Sequence, residues 1–314
     1  MVPSHSAFVI LHSAFIMKIG LLYSRVRFEE KQIIEALNQR GIAHDLIDDR
    51  EIVFPLTPPN GHAPEKQHGV HFVRPEQFQR YDVVLDRAME FTRGLYALEI
   101  LNSWGVKTVN RAAVVSLCGD KLLTTAALTQ HGVPSPRTEI AFTPDAALEA
   151  IESMGYPVVL KPVIGSWGRL VAKVNDREAA EALLEHKSVL GHFLHEIFYI
   201  QEFISKPGRD IRLIVMGDEI ISSIYRASAH WVTNTARGAT AEPCPLDAAL
   251  EKIALSAAHA VGGGFLAIDV IEDPARGYLV NEINPTPEFR GSETATGADI
   301  PNKLIDYLIE TAKA

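Results

Sequence analysis

The sequence holds little cysteine: Cys118 and Cys244 are the two in 314 residues. Neither stands in a Cys-x-x-Cys pair or near a metal-type histidine spacing, so they read as ordinary thiols of a reduced, cytoplasmic protein rather than as a disulfide framework. No apolar run is long enough to span a bilayer; residues 7–15 are apolar but too short, and no basic residue precedes them as a secretory signal requires. Residues 1–16 are therefore read as an extension ahead of the first strand, with a short membrane anchor as the other reading. Positive charge is also scarce: the formal net charge is -9 with no basic tract, which argues against general nucleic-acid binding and leaves room for a local basic groove that takes phosphates. The first strand and helix are not joined by Gly-x-Gly-x-x-Gly, and no glycine loop continues into Gly-Lys-Ser/Thr, so a nicotinamide fingerprint and a Walker A loop are both absent. There is no internal repeat and no low-complexity segment.

About half of the residues are hydrophobic, enough for more than one core, and the length predicts two or three units. A strand at 18–23, a helix at 29–40 closed by Gly41 and a strand at 43–47 make a β-α-β start. The proline-rich stretch 51–80 reads as loop. A strand at 81–85, a helix at 92–103 and a short strand at 107–110 complete a unit ending near 112. A helix at 120–131 follows. The next helix opens at Thr143-Pro144, an N-cap with proline in the first turn. Strands are expected at 157–162 and 170–174, with a helix capped by Asn175 between 175 and 187. From 198 the pattern is mainly strand, at 198–202, 210–216 and 219–225. A helix at 247–261, strands at 265–271 and 278–283, and a last helix at 303–311 close the chain. The division expected is an extension at 1–16 and units at 17–112, 113–197 and 198–314, in a mixed α/β (α+β) fold.

The last strand pair carries the sharpest inference. If Asp273 pairs with Tyr278, antiparallel register puts Asp269 opposite Glu282, about 5 Å apart at Cβ. Asn284 shares the face of Glu282. Two acids facing each other among Phe265, Ile268, Val280 and Ile283 repel and lose solvation, and a divalent cation removes that conflict. Few, hard oxygen ligands suit Mg²⁺ held together with substrate phosphates. The alternative is that one acid turns to solvent or meets an arginine, and a one-residue slip undoes the arrangement.

Lys161 ends an apolar strand, and Gly165-Ser166-Trp167-Gly168-Arg169 lies just beyond it. Two glycines let backbone N–H groups approach phosphate oxygens, and a neighbouring ammonium neutralises phosphate charge; a plain hairpin turn is the competing reading. Gln201-Glu202-Phe203-Ile204 ends another strand and offers backbone groups to an adenine edge, or is an ordinary strand terminus. Arg212 and Arg226 lie on the following strands, where each clamps phosphate, pairs with a carboxylate or is a surface charge.

Taken together, Gly119-Asp120-Lys121, Val159-Leu160-Lys161-Pro162, 165–169, 201–204, Asp210-Ile211-Arg212, Asp269 and Asn281-Glu282-Ile283-Asn284 resemble, in order, the motifs of the ATP-grasp superfamily. The nearest subgroup is the RimK-like amino-acid ligases, and within it the LysX-type enzymes of lysine biosynthesis. The likeness covers about residues 17–314 and is most specific at 161–169 and 228–238. It implies an ATP-grasp fold with an N-terminal pre-ATP-grasp domain, and ATP and Mg²⁺ as cofactors. Lys121 and Lys161 would lie on the phosphates with 165–169 over them, Gln201 to Ile204 at adenine, and Asp269, Glu282 and Asn284 on the metal. Arg212, Arg226 and Asn234 would be catalytic, near the transferred phosphoryl group.

The implied reaction joins α-aminoadipate to the C-terminal glutamate γ-carboxyl of LysW, a small acidic amino-group carrier protein, through an acyl phosphate. Residues Gly291-Ser292 stand where the resemblance places amine-donor selection. LysX-type enzymes tend to have Asn and a small hydroxyl residue there, and the glutamate-using ArgX type has Gly-Phe. This chain combines the glycine of one with the small hydroxyl of the other; Ser292 leaves more room than Phe, which favours aminoadipate over glutamate. Arg25, Arg27, Arg87 and Arg93 are the expected basic patch for the carrier. The resemblance also implies a homo-oligomer. The alternatives are a glutamate ligase of ArgX or RimK type, a phosphotransferase and a non-catalytic ATP-binding regulator.

Overall fold

The computed structural model of the protein describes residues 17–57, 66–67, 69–165, 169–191, 196–233 and 238–314. The chain opens with β1 (Lys18–Tyr23), α1 (Phe28–Gln39) and β2 (Ala43–Asp48). The stretch expected to be loop holds β3 (Ile52–Val53), β4 (Lys66–Gln67), β5 (Val70–Phe72) and the single-turn α2 (Pro75–Phe78). Its prolines bracket these pieces instead of interrupting them: Pro55 follows β3, and Pro75 occupies the first turn of α2, where its missing N–H costs nothing. Then come β6 (Val83–Arg87), α3 (Phe91–Ser103) and β7 (Thr108–Val109). The main sheet has the order β2-β1-β6-β7 and is parallel throughout. Both of its faces are covered, as parallel sheets require: Ile19 and Leu21 pack towards α1, and Leu22 packs with Phe78 and Tyr81 on the other side.

Two helices, α4 (Ala112–Gly119) and α5 (Lys121–Gln130), lead to an antiparallel sheet with the order β10-β9-β11-β8. It consists of β8 (Thr138–Ala141), β9 (Val158–Lys161), β10 (Ala172–Val174) and β11 (Phe198–Glu202), with α6 (Pro144–Met154) and α7 (Arg177–Leu190) supplying Ala147, Ile151 and Leu184 to its core. Thr143 caps α6 as expected, its hydroxyl accepting from the Ala146 N–H. The cap of α7 is Asp176 and not Asn175: the Asp176 carboxylate accepts from the Ala179 N–H, which Asn175 stands one residue too early to reach. Because β11 belongs to this sheet, sheet membership divides the two later units after Glu202 and not at 198.

The last sheet, β14-β13-β12-β15-β16, is antiparallel. Its strands are β12 (Arg209–Met216), β13 (Glu219–Ala227), β14 (Thr240–Pro243), β15 (Phe265–Asp273) and β16 (Gly277–Asn284), joined by α8 (Ala248–Ala260) and followed by α9 (Arg290–Thr296) and α10 (Ile300–Lys313). Ile211, Leu213 and Val215 pack on α8 through Ile253, Ala254 and Ala257. The alternate residues Ile214 and Met216 join Leu304 and Leu308 of α10 and Ile19 and Leu21 of β1 in one core, so the N-terminal unit and this sheet are packed together.

The β15–β16 hairpin is one residue tighter than expected: Asp273 pairs with Gly277 and Glu272 with Tyr278. The Asp273 carboxylate accepts from the Ala275 and Arg276 N–H groups, and Gly277 takes φ +81°, so three residues suffice to turn the chain. A bulge then passes over Asn281, and Asp269 still faces Glu282. No helix among the described residues is long and apolar enough to cross a membrane.

Candidate active site

A cavity of about 540 Å³ lies where the three units meet, a volume suited to a nucleotide-sized ligand. Lys161 reaches it from the end of β9, whose four residues are all buried. Its ammonium donates to Asn281 Oδ1 at 2.8 Å. Burial pushes Lys161 down to about 8, against the pull of Glu282 and aided by Lys121 and Lys206. Lys121 opens α5, and Asp120 caps that helix by accepting from the Leu122 and Leu123 N–H groups. A backbone bond from the Lys121 N–H to the Val163 carbonyl ties this turn to the chain leaving β9. The Lys121 ammonium donates to the Gly165 carbonyl at 2.7 Å and stands 3.6 Å from Glu282.

The acids are held in a defined pattern. Asp269 is buried and takes two bonds from Arg212, Nε to Oδ1 at 2.7 Å and Nη2 to Oδ2 at 2.8 Å, and a third contact from Arg226 Nη2 at 2.9 Å. Burial alone would raise its pKa; the two guanidiniums outweigh it and hold Asp269 at about 2. Arg226 also donates to Asp210 at 2.7 Å, and Asp210 accepts from Thr233, whose hydroxyl takes a 2.6 Å bond from Lys206. The repulsion expected between Asp269 and Glu282 is thus relieved on the Asp269 side by arginine. Glu282 is left with Lys121 at 3.6 Å as its ion partner, and the Asn284 amide nitrogen is buried without a hydrogen-bond partner.

This donor set fits a nucleotide polyphosphate and a hard cation. Lys121, Lys161, Lys206, Arg169, Arg212 and Arg226 line the cavity, and burial lowers both Lys161 and Lys206, the latter against the pull of Asp210 at 3.5 Å. Glu282 and Asn284 keep oxygen atoms for a metal, and a carboxylate in the position of Asp269 has lone pairs beyond the three its arginines use. At the end of β11, Gln201, Glu202, Phe203 and Ile204 border the cavity beside Ile271, an apolar slot for a flat base. Glu202 is fixed there by the Arg137 N–H at 2.6 Å and by Arg276 at 2.8 Å.

Of the residues expected from sequence, Lys121, Lys161, Gly165, Arg169, Gln201, Glu202, Phe203, Ile204, Arg212, Arg226, Asp269, Glu282 and Asn284 all border this cavity. Ser166, Trp167, Gly168, Asn234 and the extension 1–16 lie outside the described residues. Gly291 and Ser292 do not border it; they begin α9, where a Cβ on Gly291 would meet Ala241 at 3.7 Å and Ser292 is buried. Ala241 pairs in register with Arg226, so α9 starts on the sheet face that carries the arginine, beside it. The expected basic patch is corrected. Arg87 is fully buried on Glu30 at 2.9 Å, Arg27 pairs with Glu30 and Glu288, and Arg93 pairs with Asp49, which leaves Arg25 as the exposed member with no ion partner among the described residues. Lys206 was not anticipated, and Trp231, Thr233 and Asn281 stood within the motif stretches 228–238 and 281–284 without a role of their own. Lys206 and Thr233 owe their place to the Asp210 network, and Asn281 to the bulge, neither of which has a local sequence signal.

Comparison with known proteins finds two adjoining domain matches. Residues 19–117 match the LysX preATP-grasp domain, and 118–308 match the RimK-like ATP-grasp domain. The chain is 35% identical to the glutamate–LysW ligase ArgX of Sulfurisphaera tokodaii over 94% of its length and 99% of the relative's. It is 36% identical to the α-aminoadipate–LysW ligase LysX of the same organism, over 95% and 100%. Among solved structures, a RimK domain ATP-grasp protein from Sphaerobacter thermophilus superimposes with a TM-score of 0.73 at 28% identity, covering 92% of this chain and 98% of that one. With two contiguous domain matches and relatives aligned from end to end, the chain belongs to the RimK-like ATP-grasp family of ligases.

Proposed function

We propose that the protein is an ATP- and Mg²⁺-dependent ligase that joins an acidic amino acid to the terminal glutamate γ-carboxyl of a LysW-type carrier. The observation that carries this reading is the cavity itself, which buried cations, an apolar base slot and residues of the N-terminal unit border together. A carboxylate is a poor electrophile because its charge repels the amine and oxide is a poor leaving group; phosphorylation corrects both. The protein's task is then charge neutralisation and alignment. In this reading Lys121 and Lys161 bind the phosphates. Arg212 and Arg226 are held by Asp269 and Asp210 so that their guanidiniums need no reorganisation as charge moves to the acyl phosphate. Asp269, Glu282 and Asn284 would hold Mg²⁺, which when bound supplies charge neutralisation on the phosphate oxygens.

The amine donor we assign is α-aminoadipate, because Ser292, at the position the family resemblance ties to donor choice, is smaller than the Phe of the glutamate-using type; it is buried next to the cavity wall and would act through it. Glutamate is the second reading, favoured by equal likeness to relatives named for either donor. One methylene is worth about 1–3 kcal/mol of discrimination. Incubating the protein with ATP, Mg²⁺, a LysW-type carrier and either amino acid, then weighing the intact carrier, decides the matter. A mass gain equal to aminoadipate is expected; a gain with glutamate alone reassigns the donor, and ADP release with no gain rejects ligation.

A further inference from the structure

Besides the lysines and arginines already described, the cavity is bordered by Asp86, Glu90 and Glu288 with Arg27. Glu90 is occupied in capping α3, through bonds from the Thr92 and Arg93 N–H groups, and Glu288 is paired with Arg27 at 3.0 Å. Asp86 differs from both. It lies at the carboxyl end of β6, where ligands of parallel sheets bind, and it is 5% exposed. One of its oxygens accepts from the Ala88 N–H at 2.9 Å, closing the turn that leaves the strand. An asparagine would close that turn equally well, so the turn does not explain the charge. No lysine, arginine or histidine among the described residues lies within ion-pairing distance of Asp86, although Arg93 nearby is engaged by Asp49. Burial, with Asp49 adding to it, pushes Asp86 up to about 6 against the Ala88 N–H and Arg87. Above that pH it is a buried anion that borders a cavity and lacks a cation, an arrangement that a cationic ligand relieves. Gly94 of α3 packs close beside it: a Cβ there would stand 3.0 Å from the Ala88 Cβ and 3.6 Å from an Asp86 oxygen.

We propose that Asp86 is the seat of the ammonium group of the amine substrate, which it holds at the cavity wall formed by the carboxyl end of β6 until the group gives up its proton and attacks the acyl phosphate. This rests on the ligase reading above and assigns a residue to one of its two substrates. A carboxylate bond to an ammonium group is charge-assisted and short, so its loss weakens binding of the amino acid while leaving carboxyl phosphorylation intact.

The test compares the full chain and its Asp86→Asn variant, each with ATP, Mg²⁺ and carrier, using two nucleophiles. One is the amino acid, α-aminoadipate or glutamate, which enters as an ammonium ion; the other is hydroxylamine, which is largely uncharged at neutral pH and traps an acyl phosphate as hydroxamate. The expected result is a KM for the amino acid raised roughly tenfold to a hundredfold, with hydroxamate formation unchanged, which also shows the variant to be folded. Hydroxamate formation with an unchanged KM overturns the role of Asp86 alone. Loss of both reactions in the variant also overturns it, because it makes Asp86 a structural residue. Absence of hydroxamate with the wild-type chain overturns the ligase reading and this assignment with it.

Discussion

At Lys161 solvation and charge pull in opposite directions, and the balance is set to change when an anion arrives. Its folded-state constant of about 8 lies below the ordinary 10.5, so folding releases a proton between those values. Its contribution to stability therefore rises with pH from about 8 to 10.5, and is least favourable below 8, where the buried ammonium is fully charged. Binding of polyphosphate has the reverse dependence, since it wants the charge. Calorimetry should show ADP affinity falling as pH rises through about 8, with a flat profile for Lys161→Arg, whose guanidinium stays protonated. A second residue-level outcome concerns Glu282, which is partly exposed and engages Lys121 at 3.6 Å. Glu282→Gln should abolish carrier modification and shift the thermal midpoint by no more than a degree or two, about what loss of a weak surface pair of up to 1 kcal/mol gives in a chain this long. Both residues were legible as site candidates, because a lysine closing an apolar strand and an acid inside one are anomalies visible in a single sequence. Asp86, Lys206 and Thr233 were not, since their meaning depends on what other segments bring beside them.

Elements with a strong period or a chemical stop were legible to within a few residues. β1, α6 and α8 follow from a short apolar run, a Thr-Pro cap and one buried face. The short pieces β3, β4, β5, β8, β14 and α9 escaped notice because a strand or helix of so few residues leaves no periodic trace, and its existence is decided by the neighbour that pairs with it. The hairpin shows how two departures cancel: a turn tightened at Gly277 and a bulge at Asn281 restore the facing of Asp269 and Glu282 that a plain count from the expected pairing gave. The helix α5 offers an element-level test. Asp120 takes two of its free N–H groups, and the next residue is the phosphate lysine Lys121. Asp120→Ala should cost about 1 kcal/mol in urea denaturation and weaken ADP binding by more than that cap alone explains, because the first turn that aims Lys121 frays.

On the scale of the molecule, the N-terminal unit is joined to the rest through a shared core and through the loop 285–290. Asn110 donates to the Pro285 carbonyl at 2.6 Å, Arg87 to the Pro287 carbonyl at 2.8 Å, and Arg27 holds Glu288 at 3.0 Å. Arg87 is the most demanding of these, being fully buried with Glu30. Arg87→Met should destabilise the protein by about 3 kcal/mol, the lower end for breaking a buried pair, since Glu30 keeps Arg27 at 3.0 Å. Guanidinium denaturation is expected to show that loss together with a broader transition as the unit loosens from its neighbours. The same three attachments have a bearing on evolution within the family. On the proposed ligase reading they set the gap across the cavity as a fixed gauge, so a donor longer by one methylene would be admitted by trimming a side chain on the wall instead of by a new hinge.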